Sequence, residues 1–180
     1  GHENTPDSGS ESVFKPGSGT VLSMGPNIHP KLAALAKKVA EEKHIPFIAD
    51  LEKECFAEPW SEDSLKDELT NETARFYVIE NQGKVQGYIG ANNICGKVYI
   101  TNVAVNTVAR GKGYGKRLVN HLVMQSQFED ALFVTLEVRK SNENAIALYE
   151  KCGFKLMGER KNFYSKPTED ALIYTLYLKD

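Results

Sequence analysis

One stretch of the chain constrains the fold more than any other: an apolar run, a glycine-rich loop and an amphipathic segment follow each other directly. Residues 98–105 are mostly apolar and have the length of a strand. The loop Arg110-Gly111-Lys112-Gly113-Tyr114-Gly115 comes next, and its alternate glycines permit positive φ angles and close backbone approach. After Gly115, apolar residues recur at helical spacing to about residue 127. The stretch therefore predicts a strand, a tight loop and a helix.

The hydrophobic period predicts the elements on either side of this unit. Helices are expected at 44–55, at 62–69 with Ser61 as N-cap, and at 143–151, where Gly153 would end the helix in the left-handed conformation. A hairpin is expected around the turn at 81–83, and further strands at 133–138, 154–159 and 171–178. This order predicts an α/β (α+β) domain around one central sheet.

The N-terminal segment differs from the rest in composition. It is rich in Pro, Gly and Ser, and its Gly1-His2 start is typical of an expression remnant. We therefore divide the chain into a tail, residues 1–36, and a domain, residues 37–180.

Composition argues against several classes of protein. A net charge of −2 disfavours a dedicated nucleic-acid binder, and no apolar window is long enough to span a membrane. The three cysteines are widely spaced, which favours free thiols in the cytoplasm over a disulfide framework. His44 and His121 are interpreted as surface helix residues without metal-ligand spacing, so no metal site is expected.

The loop at 110–115 has the character of an anion site. The helix that follows it supplies free N–H groups and a positive dipole end, and Arg110, Lys112 and Lys116 add formal charge. The spacing fits neither a Walker A loop nor a dinucleotide fingerprint. From these residues alone, a phosphate or pyrophosphate site and a plain glycine-rich turn with solvated lysines remain equally open.

Two motifs together resemble a known family. Residues 100–105, followed by Arg110-x-x-Gly113-x-Gly115, resemble the [RQ]-x-x-G-x-[GA] motif of the GCN5-related N-acetyltransferases (GNATs). Downstream, the stretch from Ser141 to Phe154 (SNENAIALYEKCGF) is similar to the second signature of that family. Their joint occurrence implies the GNAT fold, a mixed, mostly antiparallel twisted sheet flanked by helices, with acetyl-CoA as cosubstrate.

Further stretches between residues 37 and 178 resemble the RimI-type branch, the ribosomal-protein alanine N-acetyltransferases. They are CFAEPWS at 55–61, LEVRKSN at 136–142, RKNFY at 160–164 and EDA at 169–171, with Phe163 standing where tyrosine is commoner. This resemblance implies acetylation of a protein N-terminal α-amine, with a ribosomal protein beginning with Ala as the acceptor and neither nucleic acid nor membrane as partner. Acetylation of a lysine, polyamine or small-molecule amine remains an alternative, and so does a CoA-binding module without turnover.

The resemblance also implies roles for single residues. Glu137 would be the general base, or else a carboxylate paired with Arg139 or a lysine, and Tyr149 the general acid, or else a packed aromatic. Trp60 and Tyr164, the latter expected in a loop, would line the acceptor groove. Asn142 would contact the pantetheine arm, cap a helix, or do both. CoA would meet the backbone of Val103, Ala104 and Val105 and the loop residues Arg110, Gly111, Lys112, Gly113, Tyr114, Gly115 and Lys116.

Overall fold

The computed structural model describes residues 12–13, 21–22, 35–39 and 41–179, so most of the predicted tail lies outside the described residues. Two short 3₁₀ turns, at Glu42–His44 and Thr107–Ala109, accompany the regular elements. In chain order, these elements are β1 (Ser12–Val13), β2 (Val21–Leu22), β3 (Leu35–Val39), α1 (Ile45–Cys55), α2 (Glu62–Leu69), β4 (Ala74–Asn81), β5 (Lys84–Ile94), β6 (Lys97–Val105), α3 (Tyr114–Phe128), β7 (Phe133–Arg139), α4 (Glu143–Lys151), β8 (Lys155–Tyr164) and β9 (Glu169–Tyr177).

The strands form one sheet in the order β2-β3-β4-β5-β6-β7-β9-β8, and β1 pairs with β5. The β6–β7 and β1–β5 pairs are parallel, and the other pairs are antiparallel. α1 and α3 both pack on β5 and β6. Residues 87–91 of β5 are buried without interruption, as expected for a strand covered on both faces. The predicted mixed, mostly antiparallel α/β domain is confirmed.

The parallel ladder between β6 and β7 is short. It joins Lys97 to Phe133, Val98 to Val134 and Tyr99 to Thr135, and no further pair joins these two strands in the described sheet. β6 nevertheless continues to Val105 and β7 to Arg139. From residues 100 and 136 onward the two strands therefore separate, and we call the space between them the wedge.

Several helix ends follow from local sequence. The hydroxyl of Ser61 accepts a hydrogen bond from the Ser64 N–H at 3.1 Å, so Ser61 caps α2 as predicted. Gly153 has a φ of 93° and lies two residues beyond the end of α4. Both helices have the predicted bounds. β3 was not predicted, and β8 runs to Tyr164 rather than ending at Glu159.

The interpretation of His44 and His121 as surface residues was wrong, since both side chains are buried. The Glu41 N–H donates to Nδ1 of His44, so Nε2 carries the proton directed at Glu80, 3.0 Å away. Burial lowers the pKa of His44, although the nearby Glu80 raises it in part. His121 packs edge-on against the ring of Tyr77, at 4.4 Å between centroids.

Within the described residues, no helix has the length and apolar character that crossing a bilayer requires. The same residues contain no group of three or more His, Cys, Asp and Glu side chains arranged to hold a metal ion.

The packing of the core around Gly90 of β5 can be tested by substitution. A Cβ at Gly90 would lie 2.9 Å from two ring atoms of Phe76, whose fully buried ring also packs against Trp60 and Tyr88. We expect Gly90→Ala to destabilise the domain by about 1–3 kcal/mol, measured by urea unfolding. Gly158→Ala is the control, since its Cβ would make an ordinary 3.6 Å contact with Ile173. Equal unfolding midpoints for the two variants would contradict this packing.

Candidate functional site

The end of β6 forms one wall of the wedge with its backbone. The side chains of Val103, Ala104 and Val105 are buried in the core, and the strand pairs with β5 on its other side. Only main-chain groups of these residues are therefore available to a ligand in the wedge.

The glycine-rich loop lies directly beyond β6. Gly111 and Gly113 have φ angles of 81° and 77°, and no atom lies within 4 Å of the place where a Cβ would stand. Gly113 is also the N-cap of α3, so the first N–H groups of that helix face the loop. Gly115, by contrast, is buried inside α3. A small pocket here is lined by Val105, Ala109, Arg110, Gly111, Gly113, Tyr114 and Gly115. Lys112 and Lys116 are exposed beside it.

Arg110 turns toward the protein interior. Its Nε lies 3.3 Å from the Val105 carbonyl oxygen and its Nη2 lies 3.5 Å from Sγ of Cys55. The Cys55 thiol also donates to the Val105 carbonyl, at 3.7 Å. Arg110 therefore braces the loop against β6 and α1, and the exposed positive charges beside the pocket are those of Lys112 and Lys116. Sequence reasoning missed Cys55, since a lone thiol carries no signal of this contact.

α1 braces the connection to this loop at a second point. Glu54 accepts hydrogen bonds from both the N–H and the hydroxyl of Thr107, with the N–H at 2.7 Å. The side chain of Asn106 accepts from the Val108 N–H and so caps the short turn that leads to Arg110. Side-chain hydrogen bonds therefore help to fix residues 106–109, the segment that joins β6 to the glycine-rich loop.

Glu137 lies on β7 just beyond the point where the strand leaves β6. Alternate residues of β7 face opposite sides, and Glu137 lies on the side opposite the buried Leu136 and Val138. Its side chain is 14% exposed, and Oε1 is 3.4 Å from Nε of Arg160. The sequence anticipated Arg139 or a lysine as partner. The structure brings Arg160 of β8 to this carboxyl group.

Tyr149 and Asn142 lie on α4, the element that follows β7. Tyr149 is fully buried, and its ring is 5.7 Å from that of Phe154. Asn142 caps the helix, since its side chain accepts a hydrogen bond from the Ala145 N–H at 3.1 Å. The capping role predicted for Asn142 is confirmed. Glu137 on β7 and Tyr149 on α4 lie on consecutive elements of the chain.

Tyr164 does not lie in a loop, as the sequence suggested, but ends β8 with only 3% of its surface exposed. Pairing between β8 and β9 is interrupted between Arg160 and Tyr164. Asn162 adopts a φ of 53° there, and its N–H donates to Asp170 at 2.8 Å. The chain thus bulges at 161–163 and returns to the sheet at Tyr164.

Arg139 holds the β8–β9 turn, residues 165–168, beside this tyrosine. Its guanidinium lies 4.5 Å from the centre of the Tyr164 ring and donates to the carbonyl oxygens of Ser165 and Pro167. It also donates to Glu169 at 3.2 Å. Arg139 therefore connects the end of β7 to the turn, a role that required the folded structure to be recognised.

Glu169 extends this connection to the start of α4. Its Oε2 accepts a hydrogen bond from the Ser141 N–H at 2.7 Å. Burial alone would raise the pKa of Glu169, but the hydrogen bonds from Ser141 and Arg139 outweigh burial and hold the pKa below its ordinary value. The carboxylate is therefore ionised at neutral pH.

Trp60 lies in the loop between α1 and α2, residues 56–61, which we call the α1–α2 loop. Its half-buried ring stacks on Phe76, with centroids 6.4 Å apart, and the main-chain N–H of Trp60 donates to Glu52 at 2.9 Å. Glu58 of the same loop is 3.5 Å from Lys166 of the β8–β9 turn. The structure thus brings the α1–α2 loop close to the turn that follows Tyr164.

A comparison with protein families matches residues 45–154 to the acetyltransferase (GNAT) family. The matched range contains the wedge, the glycine-rich loop and both candidate catalytic residues. This chain belongs to the GNAT family. It is accordingly an N-acetyltransferase of a family that uses acetyl-CoA.

Curated GNAT relatives indicate a branch of the family. A Bacillus subtilis protein provisionally named a ribosomal protein bS18-alanine N-acetyltransferase is 38% identical over 72% of this chain and 86% of its own length. The Escherichia coli K12 protein of that name is 31% identical over 76% of this chain and 93% of its own length. The crystal structure of the ribosomal-protein-S18-alanine N-acetyltransferase from Escherichia coli superimposes with a TM-score of 0.75 at 28% identity, covering 81% of this chain and 95% of that one.

The contribution of Arg139 to holding the β8–β9 turn can be tested by substitution. Lysine retains the charge but cannot hold the planar fork that reaches several acceptors at once. We expect Arg139→Lys to speed amide hydrogen exchange at Ser141 and in the β8–β9 turn about tenfold, corresponding to about 1.4 kcal/mol, measured by mass spectrometry. Lys140→Ala is the control, because the exposed Lys140 contacts Glu159 instead. Unchanged exchange in Arg139→Lys would show that the turn is held by other contacts.

Proposed function

We propose that this GNAT enzyme transfers acetyl from acetyl-CoA to the N-terminal α-amine of a protein, with a ribosomal protein that begins with alanine as the natural acceptor. The observation that carries the proposal is the position of Glu137, on the wall of the wedge where β7 separates from β6. The names of the relatives support the choice of acceptor.

The donor site is proposed to run from the wedge to the glycine-rich loop. The main chain of Val103, Ala104 and Val105 would pair with the pantetheine amides like an added strand. The N–H groups of Gly111–Lys116 and the N-terminus of α3 would hold the pyrophosphate, with Lys112 and Lys116 supplying charge. The open, left-handed backbone at Gly111 and Gly113 supports this fit, since nothing obstructs an approaching phosphate.

Glu137 is proposed to act as the general base, directly or through one water molecule. An α-amine has a pKa of about 7.7–8.0, whereas that of a lysine amine is about 10.4, so an N-terminal acceptor is neutral more often at the same pH. The nitrogen would attack the thioester carbon once its proton has moved toward the carboxylate. Nε of Arg160 lies 3.4 Å from Oε1 of Glu137 and places a positive charge beside the proposed base.

Tyr149 is proposed to act as the general acid. As the C–S bond breaks, the sulfur gains negative charge, and the phenol would supply the proton that makes CoA a thiol. Asn142, which already caps α4, would contact the pantetheine arm with its remaining polar groups. Trp60 and Tyr164 would line the acceptor groove, which the approach of Glu58 to Lys166 supports.

A direct test compares kcat/KM for two peptides with acetyl-CoA as donor. One has the N-terminus of a ribosomal protein that begins with alanine, and the other has a blocked N-terminus and an internal lysine. The proposal predicts a clear preference for the first peptide, with the acetyl group on its α-amine by mass spectrometry. Preference for the lysine peptide, or for a polyamine, would assign the enzyme a different acceptor.

The role of Tyr149 can be tested by removing its hydroxyl. We expect Tyr149→Phe to lower kcat about 100-fold, as is typical when a positioned proton donor is lost, with little change in stability. Tyr77→Phe is the matched control, because Tyr77 is also fully buried but lies on β4 and packs against His121 of α3. A Tyr149→Phe enzyme with the kcat of the control would exclude proton donation by this residue.

The role of the loop can be tested with two glycines that have the same φ angle. Gly113 and Gly83 both have a φ of 77° and open space at the Cβ position, but Gly83 lies in the β4–β5 turn. Substitution by alanine should destabilise each variant by about 1–2 kcal/mol. Calorimetry should show acetyl-CoA binding at least about tenfold weaker only for Gly113→Ala. Equal affinities would contradict pyrophosphate binding by this loop.

A further inference from the structure

A carboxylate in the centre of the domain connects four elements. Glu52 of α1 is fully buried, and its Oε2 accepts hydrogen bonds from the Tyr88 hydroxyl at 2.7 Å and the Asn102 amide at 2.9 Å. Its Oε1 accepts the Trp60 N–H at 2.9 Å. One side chain thus joins α1 to β5, to β6 and to the α1–α2 loop.

Burying a carboxylate in a protein core has a free-energy cost. A buried carboxylate loses its hydration, and a well-packed apolar replacement is often as stable or more stable. A further feature adds to this free-energy cost. Oδ1 of Asn102 is buried and makes no hydrogen bond within the described part of the chain. Stability alone therefore gives a poor account of Glu52.

The groups that Glu52 contacts lie on both sides of the proposed reaction. Asn102 immediately precedes Val103, where the donor wall of the wedge begins. Trp60 belongs to the loop that would line the acceptor groove. The Trp60 contact is made through the main chain, so it fixes the path of the α1–α2 loop rather than one rotamer of the indole.

We propose that Glu52 is a positioning residue that fixes the α1–α2 loop, and with it the acceptor groove, at a set distance from β6. It touches neither reactant. The inference rests on the proposed function, because it assigns Trp60 and its loop to the acceptor. Loss of the carboxylate should therefore weaken use of the acceptor while leaving the donor site intact, since the glycine-rich loop is braced separately through Arg110 and Glu54.

The test uses Glu52→Gln in the full chain. Glutamine keeps the shape but places an NH₂ group against at least one of three hydrogen-bond donors. Glu129→Gln is the matched control: it removes the same charge from the ion pair with Arg75, at the far end of α3, about 22 Å along the helix from the loop. Three quantities are measured for each variant: KM for the alanine peptide, Kd for acetyl-CoA, and the emission of Trp60, the only tryptophan in the chain.

For Glu52→Gln we expect kcat/KM for the peptide to fall roughly 10- to 100-fold, mainly through KM, while the Kd for acetyl-CoA stays within about twofold of wild type. Trp60 emission should shift to the red and be quenched more by acrylamide. Glu129→Gln should leave all three unchanged. Wild-type KM and emission in Glu52→Gln, or equal losses for peptide and acetyl-CoA, would overturn the proposal.

Tyr88→Phe provides a second variant in case Glu52→Gln does not fold. It removes one donor to the carboxylate and retains the ring, so a smaller change in the same direction is expected in KM and in Trp60 emission. No change in either would also overturn the proposal. If wild type acetylates no peptide, the proposed function fails, whereas the emission of Trp60 still decides whether Glu52 positions the loop.

Discussion

The short ladder between β6 and β7 is the constraint on which the rest of the site depends. Parallel neighbours normally share main-chain hydrogen bonds along their whole length, and here the pairing ends at Tyr99 and Thr135. The backbone of β6 beyond that point can serve a ligand instead of a strand. The same separation leaves Glu137 on the opposite wall. One interruption of the sheet therefore creates both a binding surface and a place for a base.

Residues in the last turn of α1 contact several of the segments that surround the wedge. Glu52 holds the α1–α2 loop, Glu54 holds the turn before the glycine-rich loop, and Cys55 contacts both Arg110 and the Val105 carbonyl. The proposed donor and acceptor regions are thus connected to the same helix. Acyl transfer requires two reactants at a fixed separation, and a shared scaffold of this kind supplies it.

Local sequence signals predicted much of the fold. The features that could not be predicted depend on contacts between residues that are distant in sequence. Ser61 and Gly153 fixed the ends of α2 and α4 because capping depends on neighbouring residues alone. The burial of His44 depends on Glu80, which is distant in sequence. The roles of Arg139 and Arg160 likewise depend on how β8 and β9 lie beside β7. The loop could be recognised in the sequence as a candidate anion site, whereas no local pattern predicted the wedge.

Binding of the donor to the backbone of β6 in the wedge can be measured by amide hydrogen exchange with and without CoA, followed by mass spectrometry. We expect slower exchange in peptides covering residues 100–105 and 110–116 when CoA is added, and unchanged exchange across β8. Protection confined to other regions, with residues 100–105 unaffected, would contradict it.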